Sequence, residues 1–473
     1  MDLKRTKIVA TLGPASSTKE VIIEMHEKGL NVCRLNFSHG EHSIHQANIE
    51  MIKSVNEEIG SNLAILADLQ GPKLRVGVMA GEGCEIKNGS KIIFTNEECI
   101  GTSEKVYMTY PQFAQDVNPG ELILIDDGKL AVRVESTDRK SEVVAIVEHG
   151  GILKSKKGVN LPNTVISLPS LTKKDREDLD FILTQDVEWL ALSFVRTAED
   201  IIELRKLIHA AGRDIKIIAK IEKPEAIDNI DEIIEVTDAI MVARGDLGVE
   251  VPYQDVPLLQ KMMVKKCLKA SKPIIVATQM MESMIDGITP SRAEVNDVAN
   301  AVMDGADAVM LSGETSVGAH PGLVIETMTN IVTKVESYDD IFNHNYAPIA
   351  KETRLITDKM CTSAVQLADS VGAKAIATMT VSGYTACKIS SHRPKAITFV
   401  YTTNKKILNM LSLVWGVQAY YYDEDASTDD IIGDIQKVLV DKSYLTTGDY
   451  FINIASIPLK SKGKTNSIQL SKV

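Results

Sequence analysis

At 473 residues the chain exceeds what one ordinary core organises, so two or three domains are expected. Its 44% hydrophobic and 25% charged composition is that of a globular protein, and its net charge of −12 excludes a general binder of nucleic acid or of an anionic membrane surface, which needs a basic face. Six scattered cysteines without a CxxC pair exclude a zinc knuckle or redox motif, and no apolar run approaches the ~20 residues of a membrane span. The N-terminus, MDLKRTKIVATLGPAS, lacks an apolar core of signal-peptide length, so a cytoplasmic location is expected.

Along the chain, short runs rich in Val, Ile, Ala and Leu end in polar or glycine residues and alternate with amphipathic helical stretches. The strand candidates are KIVATLG (7–13), VCRLNFS (32–38), LAILADL (63–69), WLALSFV (189–195), IKIIAKIE (215–222), AIMVARGD (239–246), IIVATQM (274–280) and AVMLSGE (308–314). Continuous apolar runs alternating with helices predict a parallel sheet covered on both faces, and eight such units predict a (β/α)8 TIM barrel. Between them, Thr172 and Asp175 read as the two ends of a capping box. Leu258, Leu259, Met262, Met263 and Leu268 read as one helical face.

Residues 72–170 lose the helical period. They carry the turn pairs Asn88-Gly89, Asp127-Gly128 and Gly150-Gly151, with alternating runs such as ELILID and LAVRVE between them. This predicts an all-β domain inserted after the third strand. After a linker-like SYDDIFNHNYAPIA, a further α/β unit is expected over 345–473, with strands near 373–380, 396–402 and 449–456. The barrel is then 1–71 and 171–340. The C-terminal unit carries 15 Lys+Arg against 11 Asp+Glu, a balance of +4, which leaves −16 on the rest of the chain.

Barrel enzymes work from the C-terminal ends of their strands. Those ends offer Arg34, Asn36 and Ser38, then Asp68, Lys220 and Glu222, then Arg244, Gly245 and Asp246, then Thr278 and Gln279, then Ser312 and Glu314. Each alone is an ordinary polar strand cap; together they form a convergent set of acids, bases and hydroxyls. Glu222 and Asp246 end neighbouring strands, about 4.8 Å apart in a sheet, so their carboxylates can share one Mg2+. Lys220, two residues before Glu222, faces the same side and would set a cation where charge develops on a reacting oxygen. RGDLG (244–248) offers backbone N–H groups to a substrate carboxylate.

The stretches TKIVATLGPAS, NVCRLNFSHG, SKKGVNLP, KIEKPEAIDN, IMVARGDLGVE, ATQMMESM and RAEVNDVANAVMDGADAVMLSGETSVG together resemble the pyruvate kinase family, from Lys4 into the C-terminal domain. The resemblance implies a barrel, an inserted β lid and a C-terminal α/β domain, assembled as a homotetramer. It implies transfer of the phosphoryl group of phosphoenolpyruvate to ADP, giving ATP and, after protonation of the enolate, pyruvate. By the same resemblance Lys220 serves the transferring phosphoryl group, Glu222 and Asp246 bind Mg2+ (or Mn2+), and Arg34 binds phosphate. Gly245, Asp246 and Thr278 surround the substrate carboxylate. Asn36, Phe37, Ser38, His39, Arg75 and Lys157 surround the nucleotide phosphates. Thr278, Ser312 and Glu314 form a proton route to the enolate. Thr380, Ser382, Gly383 and Thr385 in TVSGYTA, with Lys464 and Thr465 in KSKGKTN, match loops that hold a phosphorylated effector, although Tyr384 stands where such members often have Arg.

Many members need K+ at positions matching Asn36, Ser38, Asp68 and Leu69. Here Leu69, Gln70 and Lys73 replace the usual Thr, Lys and Glu. An ammonium at Lys73 paired with Asp68 would supply the charge that K+ brings, so no K+ requirement is expected. A barrel carbon–carbon lyase and a degenerate regulatory scaffold are the alternatives. The lyase gives no work to Arg34, Arg75, Lys157 or a lid, and the scaffold does not explain why every expected catalytic position is filled.

Overall fold

In the computed structural model, residues 3–162, 164–342, 354–423, 428–456 and 465–473 are described. Eight strands close a parallel barrel: β1 (Lys7–Thr11), β2 (Val32–Asn36), β3 (Ala64–Asp68), β4 (Trp189–Leu192), β5 (Lys216–Ile221), β6 (Ala239–Ala243), β7 (Ile274–Ala277) and β8 (Ala308–Leu311). The TIM barrel read from the apolar runs is present. Side chains alternate between two environments, because a strand's period is two. Ile8, Ala10, Cys33 and Leu35 face the helices, while Val9, Val32, Ala64 and Leu66 face the barrel axis.

The observed strands are shorter than the apolar runs, and the reason is local. Phe194, Thr278 and Gln279 have φ of 53°, 70° and 53°, and these left-handed turns stop β4 and β7 three residues early. Arg244–Glu250 is a helix from its first residue, so RGDLG is helix rather than strand end. The capping box at Thr172 and Asp175 is formed. On the helix Val256–Ala270, however, the buried face is Gln260, Met263, Val264, Cys267 and Leu268; Leu258 is 69% exposed. Of the expected face, Met263 and Leu268 are buried and Leu259 and Met262 pack half-buried at its edge, so Leu258 alone among these five is misassigned.

Residues between β3 and β4 form a six-stranded sheet and a separate two-stranded antiparallel sheet around their own core, which includes Val76, Phe94, Tyr110, Ile123 and Val147. Two barrel residues grip the segments that lead into and out of it. Asp175 Oδ1 accepts from Gly71 N (3.0 Å), and Arg196 donates to the carbonyls of Ile166 and Leu168. Gly71 needs its missing Cβ: φ is 68°, and a Cβ there would lie 2.7 Å from Phe194.

The C-terminal strands Ala375–Met379, Ile397–Thr402, Val417–Tyr421, Tyr450–Ala455 and Ser467–Lys472 form one sheet, antiparallel only at its last member. The segment between the second and third of these strands packs into the N-terminal end of the barrel. Ile407, Met410, Leu411, Leu413 and Val414 share one core with the axial residues Val9, Trp189, Ile218 and Met241.

Candidate active site

At the C-terminal end of the barrel, β2, β3 and β5 deliver a chain of buried charges. Asp68 is the centre: Arg34 Nε donates to its Oδ2 (2.7 Å), and Lys220 Nζ lies 3.3 Å from its Oδ1. Lys220 Nζ also lies 3.0 Å from Glu222 Oε1 and donates to Ser193 Oγ (2.7 Å). The side chains of Asp68 and Glu222 are each 1% exposed. Charges so deeply buried persist only when paired and hydrogen-bonded.

The titration behaviour follows from that arrangement. Burial would raise the Asp68 carboxyl, but the Lys220 and Arg34 charges outweigh it and hold it below the usual carboxylate range. Burial would lower Lys220, and Asp68 and Glu222 outweigh it, so Lys220 stays an ammonium. Glu222 moves up, through burial and the charge of Asp246, against the pull of Lys220. A carboxylate strained by a second carboxylate is relieved by a divalent cation between them, so the Glu222–Asp246 pair fits Mg2+.

Around this chain the carriers are mostly backbone. Thr278 Oγ1 accepts from Gly245 N (2.7 Å) and donates to Ala277 O (2.6 Å). Arg244 turns away from the mouth to Asp297 (2.7 Å) and donates to Thr278 O (2.7 Å), which holds the strained turn. Glu314 is buried and accepts from Ser312 N (2.7 Å) and Met281 N (3.2 Å), so it orders two backbone segments.

The nucleotide-phosphate candidates are more dispersed. Asn36 Oδ1 accepts from Ser38 N (3.1 Å), and His39 is exposed. The Phe37 ring is buried and stacked on His45 at 4.0 Å, which leaves only its backbone for a ligand. In the inserted domain, Lys157 pairs with Asp126 (2.8 Å), and Arg75 donates to Lys156 O (2.9 Å). The pairing of Asp68 with Lys73 expected from the sequence is not formed. Asp68 instead takes Arg34, from the adjacent strand β2, and Lys220, which reaches across from β5, two strands away in the barrel. Lys73 is exposed and lines a cleft of about 580 Å3, open to solvent, together with Asp127, Lys223, Asp246 and Glu250.

In the C-terminal domain, Thr380 Oγ1 accepts from Gly383 N (3.1 Å), Ser382 is exposed, and Thr385 and Thr465 are buried. Tyr384 donates to Asp358 Oδ1 (2.7 Å), with the Arg354 guanidinium 4.2 Å from its ring centroid. Lys464 lies outside the described residues.

Sequence reasoning missed Ser193 and Thr11. Ser193 Oγ donates to Leu69 O (2.7 Å) while accepting from Lys220, and Thr11 Oγ1 accepts from Arg34 Nη1 (2.8 Å). The signal was available, since Ser193 follows the apolar run of β4 and Thr11 ends that of β1.

Comparison with known proteins agrees with this geometry. Residues 3–325 match the family model for the pyruvate kinase barrel domain, and residues 358–471 that for its alpha/beta domain. Pyruvate kinase of Geobacillus stearothermophilus is 42% identical over 99% of this chain and 80% of its own length. That of Clostridium acetobutylicum is 39% identical over the whole of both chains. A crystal structure of a pyruvate kinase from Cryptosporidium parvum superposes with a TM-score of 0.93 at 34% identity, covering 99% of this chain and 96% of that one. With both family models matched and relatives aligned end to end, the chain belongs to the pyruvate kinase family of phosphotransferases.

Proposed function

We propose that the chain transfers the phosphoryl group of phosphoenolpyruvate to ADP and protonates the enolate to pyruvate, through the residues at the C-terminal mouth of the barrel. The observation that carries this reading is the buried chain Arg34–Asp68–Lys220–Glu222. Phosphoryl transfer is largely positioning and electrostatics, and an ammonium fixed by two carboxylates in a nearly dry site costs no reorganisation when charge moves. Lys220 steadies the transferring group and then the enolate oxygen. Arg34, oriented by Asp68 and Thr11, binds the phosphate. Glu222 and Asp246 would hold Mg2+ (or Mn2+), which neutralises phosphoryl charge when bound.

The substrate carboxylate is assigned to the first turn of Arg244–Glu250, around Gly245, Asp246 and Thr278. The Thr278 hydroxyl is committed to Ala277 O, and a hydroxyl is a weak acid at neutral pH. The proton route therefore runs through solvent near Thr278 and Ser312, with Glu314 holding the backbone of that route in place. Asn36, Ser38, His39 and the Phe37 backbone take the nucleotide phosphates with Arg75 and Lys157, phosphate displacing Asp126 from Lys157.

The barrel is assigned to 1–71 and 171–340, the lid to 72–170 and the effector-binding and oligomerising unit to 345–473, in a cytoplasmic homotetramer. The lid closes over the nucleotide about Gly71-Pro72 and the 162–169 segment. The phosphorylated effector is assigned to the 380–385 turn. Activity without K+ is also proposed, resting on the ammonium of Lys73 in the cleft beside Asp246 rather than on a contact with Asp68. Formation of ATP from phosphoenolpyruvate, ADP and Mg2+ in a coupled assay tests the reaction; no turnover refutes it. Repeating it in tetramethylammonium salts free of K+, Na+ and NH4+ tests the cation reading. Activity that vanishes there and returns with K+ overturns it, and K+ dependence created by Lys73→Glu supports it.

A further inference from the structure

The loop after β5 and the helix after β6 carry the two carboxylates assigned to the metal, and a third acid ties those segments together. Glu250 ends the helix Arg244–Glu250, one helical turn beyond Asp246 and on the same face. Its Oε1 lies 2.8 Å from Lys223 Nζ, and Lys223 directly follows Glu222. The same oxygen accepts from Asn160 Nδ2 (2.8 Å), and Asn160 belongs to the inserted sheet. Among the described residues, this is the single hydrogen bond joining residues 76–160 to the barrel. The Glu250 side chain is 1% exposed, and its Oε2 is buried without a hydrogen-bond partner. Burying a carboxylate half-satisfied is costly, and such a cost marks a group held for its position.

We propose that Glu250 is a positioning residue that couples the lid to the metal-ligand pair: it clamps the segments bearing Glu222 and Asp246 at fixed spacing and gives the lid, through Asn160, its latch on the barrel. The inference rests on the family reaction for its catalytic consequence, but its two structural halves are readable without turnover. Neighbouring geometry agrees with a seated lid edge, because a Cβ added at Gly128 would touch Val249 at 4.0 Å, next to Glu250. A latch made in the closed state and not in the open one lowers kcat when removed and leaves substrate binding nearly unchanged.

The 473-residue chain, its Asn160→Ala and Glu250→Gln variants, and the double variant decide the matter. Asn160→Ala leaves the Lys223–Glu250 pair whole, so it serves even if Glu250→Gln fails to fold. Hydrogen exchange of residues 122–160 should speed up in Asn160→Ala at an unchanged melting temperature. Its kcat should fall about 10- to 100-fold, the cost of a small misplacement in a closing site, with KM for phosphoenolpyruvate within about twofold. Mn2+ affinity, read by electron paramagnetic resonance with the metal alone, should be unchanged in Asn160→Ala and weaken in Glu250→Gln. The double variant should lose less than the product of the two single losses, since both singles weaken the bond from Asn160 to Glu250. Unchanged exchange in Asn160→Ala, unchanged Mn2+ affinity in folded Glu250→Gln, or multiplying losses in the double variant would overturn the latch. An inactive wild-type chain would refute the family reaction instead, and the exchange and metal arms would still judge the latch.

Discussion

At the C-terminal mouth of the barrel, Asp68, Glu222 and Lys220 hold one another in a cluster that leaves carboxylates crowded. At the N-terminal mouth, buried charges are tied down to backbone. Asp307 accepts from Arg393 (2.9 Å), Ile274 N (3.1 Å) and Trp415 N (3.3 Å). Arg393 also donates to Ser390 O (2.8 Å) and Gly305 O (2.6 Å) and lies 4.9 Å from the Trp415 ring centroid. Glu336 accepts from the amides of Arg5 and Thr6, and Lys7 donates to Val417 O (2.8 Å). The same eight strands thus end in charge poised toward a ligand on one side and in charge used as mortar on the other. A barrel separates the tasks because its strands all point one way.

The sharpest way to break this contrast is to remove one charge from each end. Lys220→Met should cut turnover by at least about a thousandfold, the ~4 kcal/mol of one preorganised donor at developing charge, while the chain still folds because Asp68 keeps Arg34 and Glu222 keeps the Phe194 amide. A steady-state assay beside a thermal melt measures both, and a variant keeping a tenth of wild-type turnover would end the assignment. Asp307→Ala should do the reverse. It strands Arg393 in a buried site and should cost about 3–5 kcal/mol of stability, while the surviving folded enzyme keeps its turnover. Denaturant unfolding followed by an activity count per folded molecule would reveal a mistake here.

The contrast extends to pH. Glu188 sits at the N-terminal end beside the C-terminal plug, accepting from Ile65 N (2.7 Å) and Asn409 Nδ2 (3.1 Å). Burial pushes its carboxyl up to about 7 from 4.5. The folded state then holds a proton that the unfolded chain has released, so stability is greatest below pH 4.5 for this group and declines as pH rises toward 7. The fall is about 3 kcal/mol over that window, and Glu188→Gln should flatten it. Asp68, held low by its cations, contributes with the opposite sign: its share is present above the unfolded carboxylate range and is lost in acid. Unfolding titrations of the wild type and Glu188→Gln compare the slopes directly. The mildest change is Trp189→Phe, which deletes the bond from Nε1 to Met410 O (3.2 Å) and should cost about 1 kcal/mol with no effect on turnover.

The barrel, the inserted β unit and the charged strand ends were legible in the residue pattern, because burial on both faces writes a continuous apolar run and a strand stop writes a polar or glycine residue after it. The same pattern also placed Glu222 and Asp246 just beyond the ends of neighbouring strands, since consecutive strands pair. Which charge pairs with which was settled by the folded chain. Asp68 meets Arg34, 34 residues earlier, and Lys220, far along the chain, while Lys73, five residues away, turns elsewhere. The plug at Ile407–Val414 and the bond from Asn160 to Glu250 were equally invisible. Apolar periodicity shows that a face is buried, without naming the surface that covers it, and a polar residue shows a capacity to bond without its partner. Those choices depend on strand register and domain docking, which no local window of sequence contains.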